Sequence, residues 1–385
     1  MKISQRRVFF LFVIVLFSKM ANAQYFYSFQ RDTNNIRNMV TGIYKIDILS
    51  CEKEELIDLH KLGYKSIFIA DVDDYGAKLF FSYNLIQNYA MIDIADHTDI
   101  VDLSRGLDNS YVDAGIDYKA AYHHPSNSLY LFWRKFDPEL DNETGQIDSC
   151  AIVDPGTGKN IKAFESFFDI YSATFSEDGK RLYASKIKSI DERRQRITIK
   201  LIINSGNAEI IDSLSPSDLE PEADKVYFIN IDGSQKSVGS IQLVATEYSE
   251  GDNKQKYLYA YNMDTKQKSI RIINDINGAC GLSMDASKII IDEYDPEKKQ
   301  HKGVIHILDV EWLKDENDDK IMKIEDGITV HVPAPDKPKD YHSKTHSIKT
   351  FATNPDVILY YYHNKPFESS YLIRLSDGKI LRKGK

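Results

Sequence analysis

Short apolar strands recur along the chain, and each ends in a small polar residue. The seven segments are Ile43–Asp47, Ala90–Asp93, Ala151–Asp154, Leu201–Asn204, Leu258–Asn262, Ile305–Asp309 and Tyr371–Ser376, and they recur every 46 to 67 residues. A fixed period of this length is typical of repeat architectures, propellers among them. The pattern therefore predicts β-structure along the whole chain.

A second pattern, a strand followed by a tight turn and a return strand, precedes six of these seven segments. It is best preserved over Ser172–Ser185, where the turn is Glu177-Asp178-Gly179. Asp and Gly are favoured there because they tolerate the positive backbone angles of such turns. Together the two patterns predict a four-stranded antiparallel meander in each repeat. One such sheet cannot bury both of its faces, whereas a ring of stacked sheets can.

The sequence thus predicts an all-β fold: one β-propeller domain over residues 24–385, built of four-stranded antiparallel blades. Seven blades fit the chain length, and six and eight are the alternatives. The first repeat is one strand short, because only Tyr25–Phe29 precedes its third-strand segment. Residues 52–62 fit a strand and a helix about equally well, since short apolar runs cannot be assigned by period alone.

The segment Phe175-Ser176-Glu177-Asp178-Gly179-Lys180-Arg181-Leu182-Tyr183 resembles the core of the TolB-like, or WD40-like (PD40-type), bacterial propeller repeats. The match is good in the fourth repeat and partial in the second and sixth. The resemblance implies the propeller fold. That superfamily includes periplasmic binding proteins, side domains of peptidases and several enzymes, so the resemblance leaves function open.

The first residues predict export. Lys2, Arg6 and Arg7 precede the apolar run Val8–Phe17, and Ala21-Asn22-Ala23 follows. This order is typical of a signal peptide over residues 1–23, cleaved after Ala23, and the run is too short to span a bilayer. We expect a periplasmic or extracellular protein without stable membrane insertion. Cleavage would move the formal net charge from -9 to -13, which disfavours nucleic acid as a partner.

Meander topology assigns each connection to one of two faces. The connections from the first strand to the second and from the third strand to the fourth emerge on one face, which we call the short-turn face. The connections from the second strand to the third and from one repeat to the next emerge on the opposite face, which we call the loop-rich face. Long charged segments of the loop-rich face cover residues 134–147, 188–196, 249–255 and 295–302 within repeats, and 105–116, 213–225 and 333–347 between them. Loops elaborated on one side of a repeat array usually mark its binding side. Glu311–Gly327 is an exception on the short-turn face.

Candidate binding residues come from this loop-rich face. Three arginines form its densest positive cluster and could bind a carboxylate, although exposed ion pairs with neighbouring acids are the simpler explanation. Among the other candidates, the aromatic residues could stack on sugars, and two histidines lie four positions apart. The acidic residues are of the type that could hold a divalent ion such as calcium, but the sequence predicts no cofactor or metal site. The candidates are Arg193, Arg194, Arg196, Asp137, Asp141, Tyr111, Asp113, Tyr171, Tyr341, His342 and His346.

The motif scan finds no catalytic signature. There is no Gly-x-Ser-x-Gly elbow, and Gly156-Thr157-Gly158-Lys159 fits a strand-connecting turn better than a phosphate loop. Cys51, Cys150 and Cys280 are expected to be buried, and His123 and His124 to lie at the surface. The sequence favours a monomeric, non-catalytic module that binds a protein, peptide or glycan. The alternatives are a lactonase-type or polysaccharide-lyase-type enzyme with its site at a central channel, and an envelope or secretion-machinery scaffold.

Overall fold

The computed structural model describes most of the chain after residue 24. The described residues are 25–31, 40–47, 52–58, 61, 67, 70–72, 78–83, 88–94, 100–104, 117–136, 146–165, 170–189, 196–229, 239–250, 253–273, 280–295, 300–315, 318, 320–332, 346–350, 354–362 and 370–383. No helix within these ranges is long and apolar enough to cross a membrane.

The described strands form seven sheets, numbered here in chain order. Sheet 1 contains β1 (Tyr25–Arg31), β2 (Val40–Asp47) and β3 (Lys53–Asp58); sheet 2 contains β4 (Ala70–Val72), β5 (Lys78–Tyr83), β6 (Asn88–Asp93) and β7 (Ile100–Asp102). Sheet 3 contains β8 (Asp117–His123), β9 (Ser128–Phe136), β10 (Gln146–Val153) and β11 (Asn160–Glu165); sheet 4 contains β12 (Ile170–Phe175), β13 (Arg181–Ser189), β14 (Arg196–Asn204) and β15 (Glu209–Leu214). Helix α1 (Pro216–Leu219) follows sheet 4. Sheet 5 contains β16 (Lys225–Phe228), β17 (Ile241–Glu250), β18 (Asn253–Asn262), β19 (Gln267–Lys268), β20 (Arg271–Ile273) and the later β24 (Ile321–Met322). Sheet 6 contains β21 (Cys280–Leu282), β22 (Lys288–Asp295), β23 (Gln300–Asp309) and β25 (Ile328–His331); sheet 7 contains β26 (His346–Thr350), β27 (Val357–Tyr362), β28 (Ser370–Arg374) and β29 (Ile380–Lys383).

The predicted meander is confirmed within the described residues. In sheets 2, 3, 4, 6 and 7 the four strands pair antiparallel in chain order. Sheet 1 has three described strands. The segment that fitted both a strand and a helix contains strand β3, paired with β2 from Gly42–Asp58 to Ile46–Lys53.

In sheets 3, 4 and 5 the polar residue that ends the third strand closes the turn that follows. Asp154, Asn204 and Asn262 each accept, through the side-chain oxygen, a hydrogen bond from a backbone amide two or three residues ahead, at 2.7 to 2.9 Å. Their backbone carbonyls accept from the amide four residues ahead, at 2.8 Å in all three turns. The residue at that fourth position has φ between 56° and 69°. In these three repeats the polar signature therefore reflects one local turn geometry.

The turn between first and second strands also repeats. In sheet 4 the Ser176 hydroxyl donates to Asp178 Oδ1 at 2.7 Å, and Asp178 Oδ1 accepts from the Lys180 amide at 3.0 Å. In sheet 6, Ser283 and Asp285 make the same pair of contacts, at 2.6 Å to each other and 3.0 Å to the Ser287 amide. The predicted Asp-Gly turn is thus confirmed.

Apolar side chains of alternating orientation pack each described sheet against its neighbours. In β9, Leu131 joins a cluster with Met91 of sheet 2, and Tyr130 joins one with Leu182 of sheet 4. Six such clusters join sheets 1 to 7 in succession. Because alternate residues of a strand point to opposite faces, every sheet between the first and last is buried on both sides.

Polar contacts also join neighbouring sheets at the short-turn face. The Tyr183 hydroxyl and Arg181 Nη1 of sheet 4 donate to the two carboxylate oxygens of Asp264 in sheet 5, both at 2.6 Å. His123 of sheet 3 lies 3.0 Å from the Glu177 carbonyl of sheet 4 and is buried, so the prediction of a surface position is wrong for it. His124 is exposed, as expected.

The segment Glu311–Gly327 lies along the outer edge of sheet 5. Strand β24 pairs in parallel with β20, and Trp312 forms a β-bridge with Ser269. Trp312 and Met322 pack on the cluster between sheets 5 and 6. This insertion therefore covers an edge and fills the outer wedge between two sheets, which explains its presence on the short-turn face.

The loop-rich face differs from the sequence prediction. Of the expected loop 249–255, only residues 251 and 252 lie outside the paired strands β17 and β18. In sheets 4, 5 and 6 the second strand continues three or four residues beyond its last described pair with the first strand. In sheet 5, where the residues before β16 are described, the β17–β18 hairpin projects beyond the first strand by three residues, roughly 10 Å at about 3.3 Å per residue. The expected long loops within repeats are thus partly projecting strands.

Candidate functional site

Most sequence-predicted binding residues lie outside the described residues. These are Arg193, Arg194, Asp137, Asp141, Tyr111, Asp113, Tyr341 and His342. Of the others, Arg196 is the first residue of β14, Tyr171 lies in β12 and His346 is the first residue of β26. These backbone positions lie toward the loop-rich ends of sheets 4 and 7, and their side chains are outside the described part.

A described polar patch lies instead at the loop-rich end of sheet 5. In β16, Lys225 and Tyr227 share one face of the strand, and Lys225 is opposite Glu247 of β17. Glu247 is in turn opposite Lys256 of β18, and Lys254 is two residues away on the same face. Glu247 lies 3.5 Å from Lys225 Nζ and 3.3 Å from Lys254 Nζ. Three lysines therefore surround one carboxylate.

The neighbouring sheet 6 presents a second polar set toward this patch. His306 Nε2 lies 2.7 Å from Glu293 Oε1, and Lys302 Nζ lies 3.1 Å from Glu293 Oε2. His306 Nδ1 is 3.1 Å from the Thr329 hydroxyl. Because Ile291 of the same face packs on Leu258 of sheet 5, these groups overlook the apolar contact between the sheets. We call the two polar sets at this end of the apolar cluster, taken together, the 5/6 groove; its residues are Lys225, Tyr227, Glu247, Lys254, Lys256, Glu293, Lys302 and His306.

The lysines of the 5/6 groove face solvent, while its carboxylates do not. The side chains of Lys225 and Lys254 are each 62% exposed and that of Lys302 is 49% exposed, against 10% for Glu247 and 19% for Glu293. Burial would raise the pKa of Glu247, but the hydrogen bond from Lys254 and the charge of Lys225 outweigh it and lower that pKa. The groove therefore holds its acids ionised and presents ammonium groups outward.

Tyr227 adds an accessible aromatic ring to this groove. The residue is 47% exposed. It lies on the first strand of its sheet, near Glu247 and the buried Cys280. Partial burial, and next the charge of Glu247, raises the pKa of Tyr227, so its hydroxyl stays protonated. Sequence reasoning missed this residue. The signal was the alternation Lys225-Val226-Tyr227-Phe228, in which one face is apolar and the other is not.

The opposite face of sheet 5 contains a buried ion-pair cluster. Glu220, just after α1, accepts hydrogen bonds from Lys268 Nζ at 2.9 Å and from Arg271 Nη2 at 3.3 Å to each oxygen. The Tyr248 hydroxyl donates to Glu220 Oε2 at 3.1 Å. Although burial acts to raise it, these donors and positive charges lower the pKa of Glu220. The cluster fastens the connection between sheets 4 and 5 beside the groove.

A buried lysine lies between sheets 4 and 5. Lys200 is 3% exposed, donates to the Ser185 hydroxyl at 2.7 Å and lies 5.6 Å from the centre of the Phe228 ring. Burial lowers its pKa to about 8. An ammonium group in this position opposes folding, since the unfolded chain solvates it fully.

We expect Lys200 to contribute more favourably to the stability of the folded chain as pH rises. Its pKa falls from 10.5 to about 8 on folding. The unfolded chain therefore binds more protons at this lysine between these values, and the contribution of Lys200 increases by about 2–3 kcal/mol as pH rises from 7.5 to 10. The buried thiols of Cys150 and Cys280, whose pKa is raised, act in the opposite sense, so the contribution is the difference in unfolding free energy between the parent chain and Lys200→Met. Urea unfolding of both proteins across that pH range measures it; a difference that does not change with pH would contradict the assignment.

The described residues contain no group of three or more His, Cys, Asp or Glu that could hold a metal ion. Cys150 and Cys280 are buried thiols, and burial is the main reason that the pKa of each is raised to about 12. This confirms the expectation of buried thiols for these two; Cys51 lies outside the described residues. The groove can offer ammonium groups and a phenol to a ligand, whereas both ring nitrogens of the buried His306 already have partners.

No family model matches the chain, and no curated protein matches it. Among solved structures, oligogalacturonate lyase in complex with manganese has a TM-score of 0.52 and 12% identity, over 88% of this chain and 84% of that chain. The β-propeller domain of Cps50 (Swd1) from Myceliophteria thermophila has a TM-score of 0.44 and 12% identity, over 82% of this chain and 84% of that chain. Dihydro-heme d1 dehydrogenase NirN has a TM-score of 0.45 and 12% identity over 89% of this chain, which spans only 61% of the length of NirN. Oligogalacturonate lyase is a β-propeller, and the likeness to it, with the succession of stacked antiparallel sheets, indicates that this chain has a β-propeller fold.

Proposed function

We propose that this protein is an exported, seven-bladed, non-catalytic propeller that binds a protein, peptide or glycan through its loop-rich face. Seven successive sheets among the described residues support the blade number. The TolB-like resemblance of Phe175–Tyr183 and the basic, then apolar, amino terminus support the class and the export.

One observation carries the proposal: the loop-rich face is the end at which the β-sheets are elaborated. In sheets 4, 5 and 6 the second strand extends three or four residues past its last described pair with the first strand there, whereas the third-to-fourth turns of sheets 4 and 5 contain four residues each. Structure elaborated on one side of a repeat array usually marks its binding side.

A charge-reversal comparison tests which face binds. One variant carries Arg193→Glu, Arg194→Glu and Arg196→Glu, in the stretch of sequence that joins β13 to β14 and at the first residue of β14. Its matched control carries Lys159→Glu, Lys180→Glu and Lys266→Glu, three exposed lysines in turns of the short-turn face. Both variants lose the same charge, so a general electrostatic effect would be equal in the two.

We expect the arginine variant to bind its partner at least tenfold more weakly and the lysine control to bind within twofold of the parent chain. The chain from Gln24 onward is immobilised and exposed to envelope extract, the retained partner is identified and purified, and its Kd is measured by calorimetry. Equal affinities for the two variants, or a larger loss in the lysine control, would reject the loop-rich face as the binding side.

The alternative is a propeller enzyme of lyase or lactonase type. Its support is the likeness in fold to oligogalacturonate lyase, a protein solved with manganese. At 12% identity that likeness concerns architecture, so the alternative is kept as the second candidate. Turnover of polysaccharide or lactone substrates by the purified chain with added Mn²⁺ would replace the binding proposal with this one.

A further inference from the structure

We infer that the 5/6 groove is a binding site for an acidic oligosaccharide, one whose sugar rings carry carboxylate groups. The inference rests on the proposed function, because it names a ligand class and a site on the same face. It starts from the charge of the groove. Lys225, Lys254, Lys256 and Lys302 outnumber Glu247 and Glu293, in a chain of net charge -9.

Lys254 and Lys302 can offer N–H donors to such a ligand. An ammonium group has three N–H donors. Within the described residues, the carboxylate contacts of Lys254 and Lys302, at 3.3 and 3.1 Å, use one donor each, and about half or more of each side chain is exposed. Glu247 and Glu293 lie behind the lysines and hold them in place. A carboxylate arriving from solvent therefore meets oriented ammonium groups before it meets the protein's own acids.

The ring of Tyr227 selects a sugar over other anions. It shares a strand face with Lys225 two residues away, a separation of about 7 Å along an extended strand. An aromatic ring that is 47% exposed offers a flat apolar surface next to a positive charge. A pyranose ring that carries a carboxylate has both complementary features, an apolar C–H face and an anionic edge. A peptide of acidic residues has the charges but no such flat ring.

The rigidity of the site favours this role. Lys225, Tyr227, Glu247 and Lys254 lie on strands paired in register, and the groove floor of Leu258 and Ile291 is fully buried. On the other face of sheet 5, Glu220 holds Lys268 and Arg271. The backbone of these strands is therefore preorganised, which reduces the conformational entropy lost when a ligand binds.

Calorimetry with three tetramers tests the inference. Tetramannuronate is the probe, β-1,4-mannotetraose is its uncharged counterpart with the same linkage, and tetraglutamate is the acidic peptide. We expect tetramannuronate to bind, with an affinity that falls as NaCl is raised, and to bind at least tenfold more tightly than the other two. Equal binding of mannotetraose would show that the lysines are not used, and equal or tighter binding of tetraglutamate would assign the groove to a peptide; either result, or no binding of tetramannuronate, overturns the inference.

Variants locate the site. Tyr227→Ala and the double variant Lys254→Ala/Lys302→Ala should each weaken tetramannuronate at least fivefold, whereas Tyr227→Phe, which keeps the ring, should stay within twofold. Lys159→Ala/Lys180→Ala on the short-turn face is the matched control and should bind as the parent does. Thermal unfolding verifies that each variant is folded. If tetramannuronate fails but the arginine reversal still abolishes partner binding, only the groove inference falls; if both fail, so does the proposed binding face.

Discussion

Replacing Glu220 with alanine is expected to destabilise the folded chain by about 3 kcal/mol. The change leaves Lys268 and Arg271, whose side chains are 34% and 30% exposed, without the carboxylate that both contact. Removing one partner of a buried charge cluster costs about 3–5 kcal/mol, and the partial exposure of the two cations places this case at the lower end. Urea unfolding at pH 7 measures the difference in unfolding free energy.

Glu222→Ala is the matched control, because Glu222 is exposed and lies only two residues away. It should change stability by less than about 0.5 kcal/mol. If both alanine variants were equally stable, the cluster would not fasten the connection between sheets 4 and 5.

The Glu220 cluster also predicts a pH effect. The pKa of Glu220 is lowered in the folded chain, so its contribution is complete above the ordinary value of 4.5 and is lost as pH falls through the lower folded value. The variant Glu220→Gln has no carboxylate to protonate at this position, so its unfolding free energy should fall less than that of the parent chain as pH is lowered below 4.5.

Gly158→Ala is expected to cost about 3 kcal/mol. Gly158 has φ of 69°, and an added Cβ would lie 2.5 Å from the Asp102 carbonyl oxygen of sheet 2. A left-handed alanine costs about 1–2 kcal/mol, and an overlap within a packed contact adds about 1–3 kcal/mol. Urea unfolding again measures the loss, which reports how closely the turn of sheet 3 approaches the last strand of sheet 2.

Gly239→Ala separates the two causes. Gly239 has φ of 55°, but its Cβ would meet no atom within 4 Å. This variant should therefore cost only about 1–2 kcal/mol, the conformational part. Equal losses for the two alanine variants would contradict the close approach of sheets 2 and 3.

The projecting hairpins illustrate where sequence reasoning stops. Ser249–Gln255 is polar and charged, which predicts a loop, yet Glu250 and Asn253 form the last pair of β17 and β18. The backbone groups of these residues are satisfied by each other, so the strands need no apolar side chains to continue. Alternation detects strands with one buried face and does not detect strands that leave the core.

His123 and the 5/6 groove illustrate the same limit across the sheets. His123 is adjacent in sequence to an exposed turn, but the turn of the next sheet, 54 residues later, covers it. Tyr227 and Glu293 belong to separate sheets, and their approach depends on how Leu258 packs on Ile291. Candidate residues such as Arg193 were chosen because charged residues are dense in that part of the sequence. That criterion does not indicate which side chains lie close together in the folded chain.

The amino-acid sequence by itself determined most of the described β-strands, their order and the turns closed by Asp154, Asn204 and Asn262. These features depend on contacts within a few residues, which periodicity and turn chemistry encode locally. Only the tertiary structure decided that β24 covers sheet 5, that Glu220 binds Lys268 and Arg271, and that lysines and Tyr227 line one groove. These contacts join residues about 50 positions apart or lie on two separate sheets, and burial between stacked sheets, rather than any local pattern, brings them together.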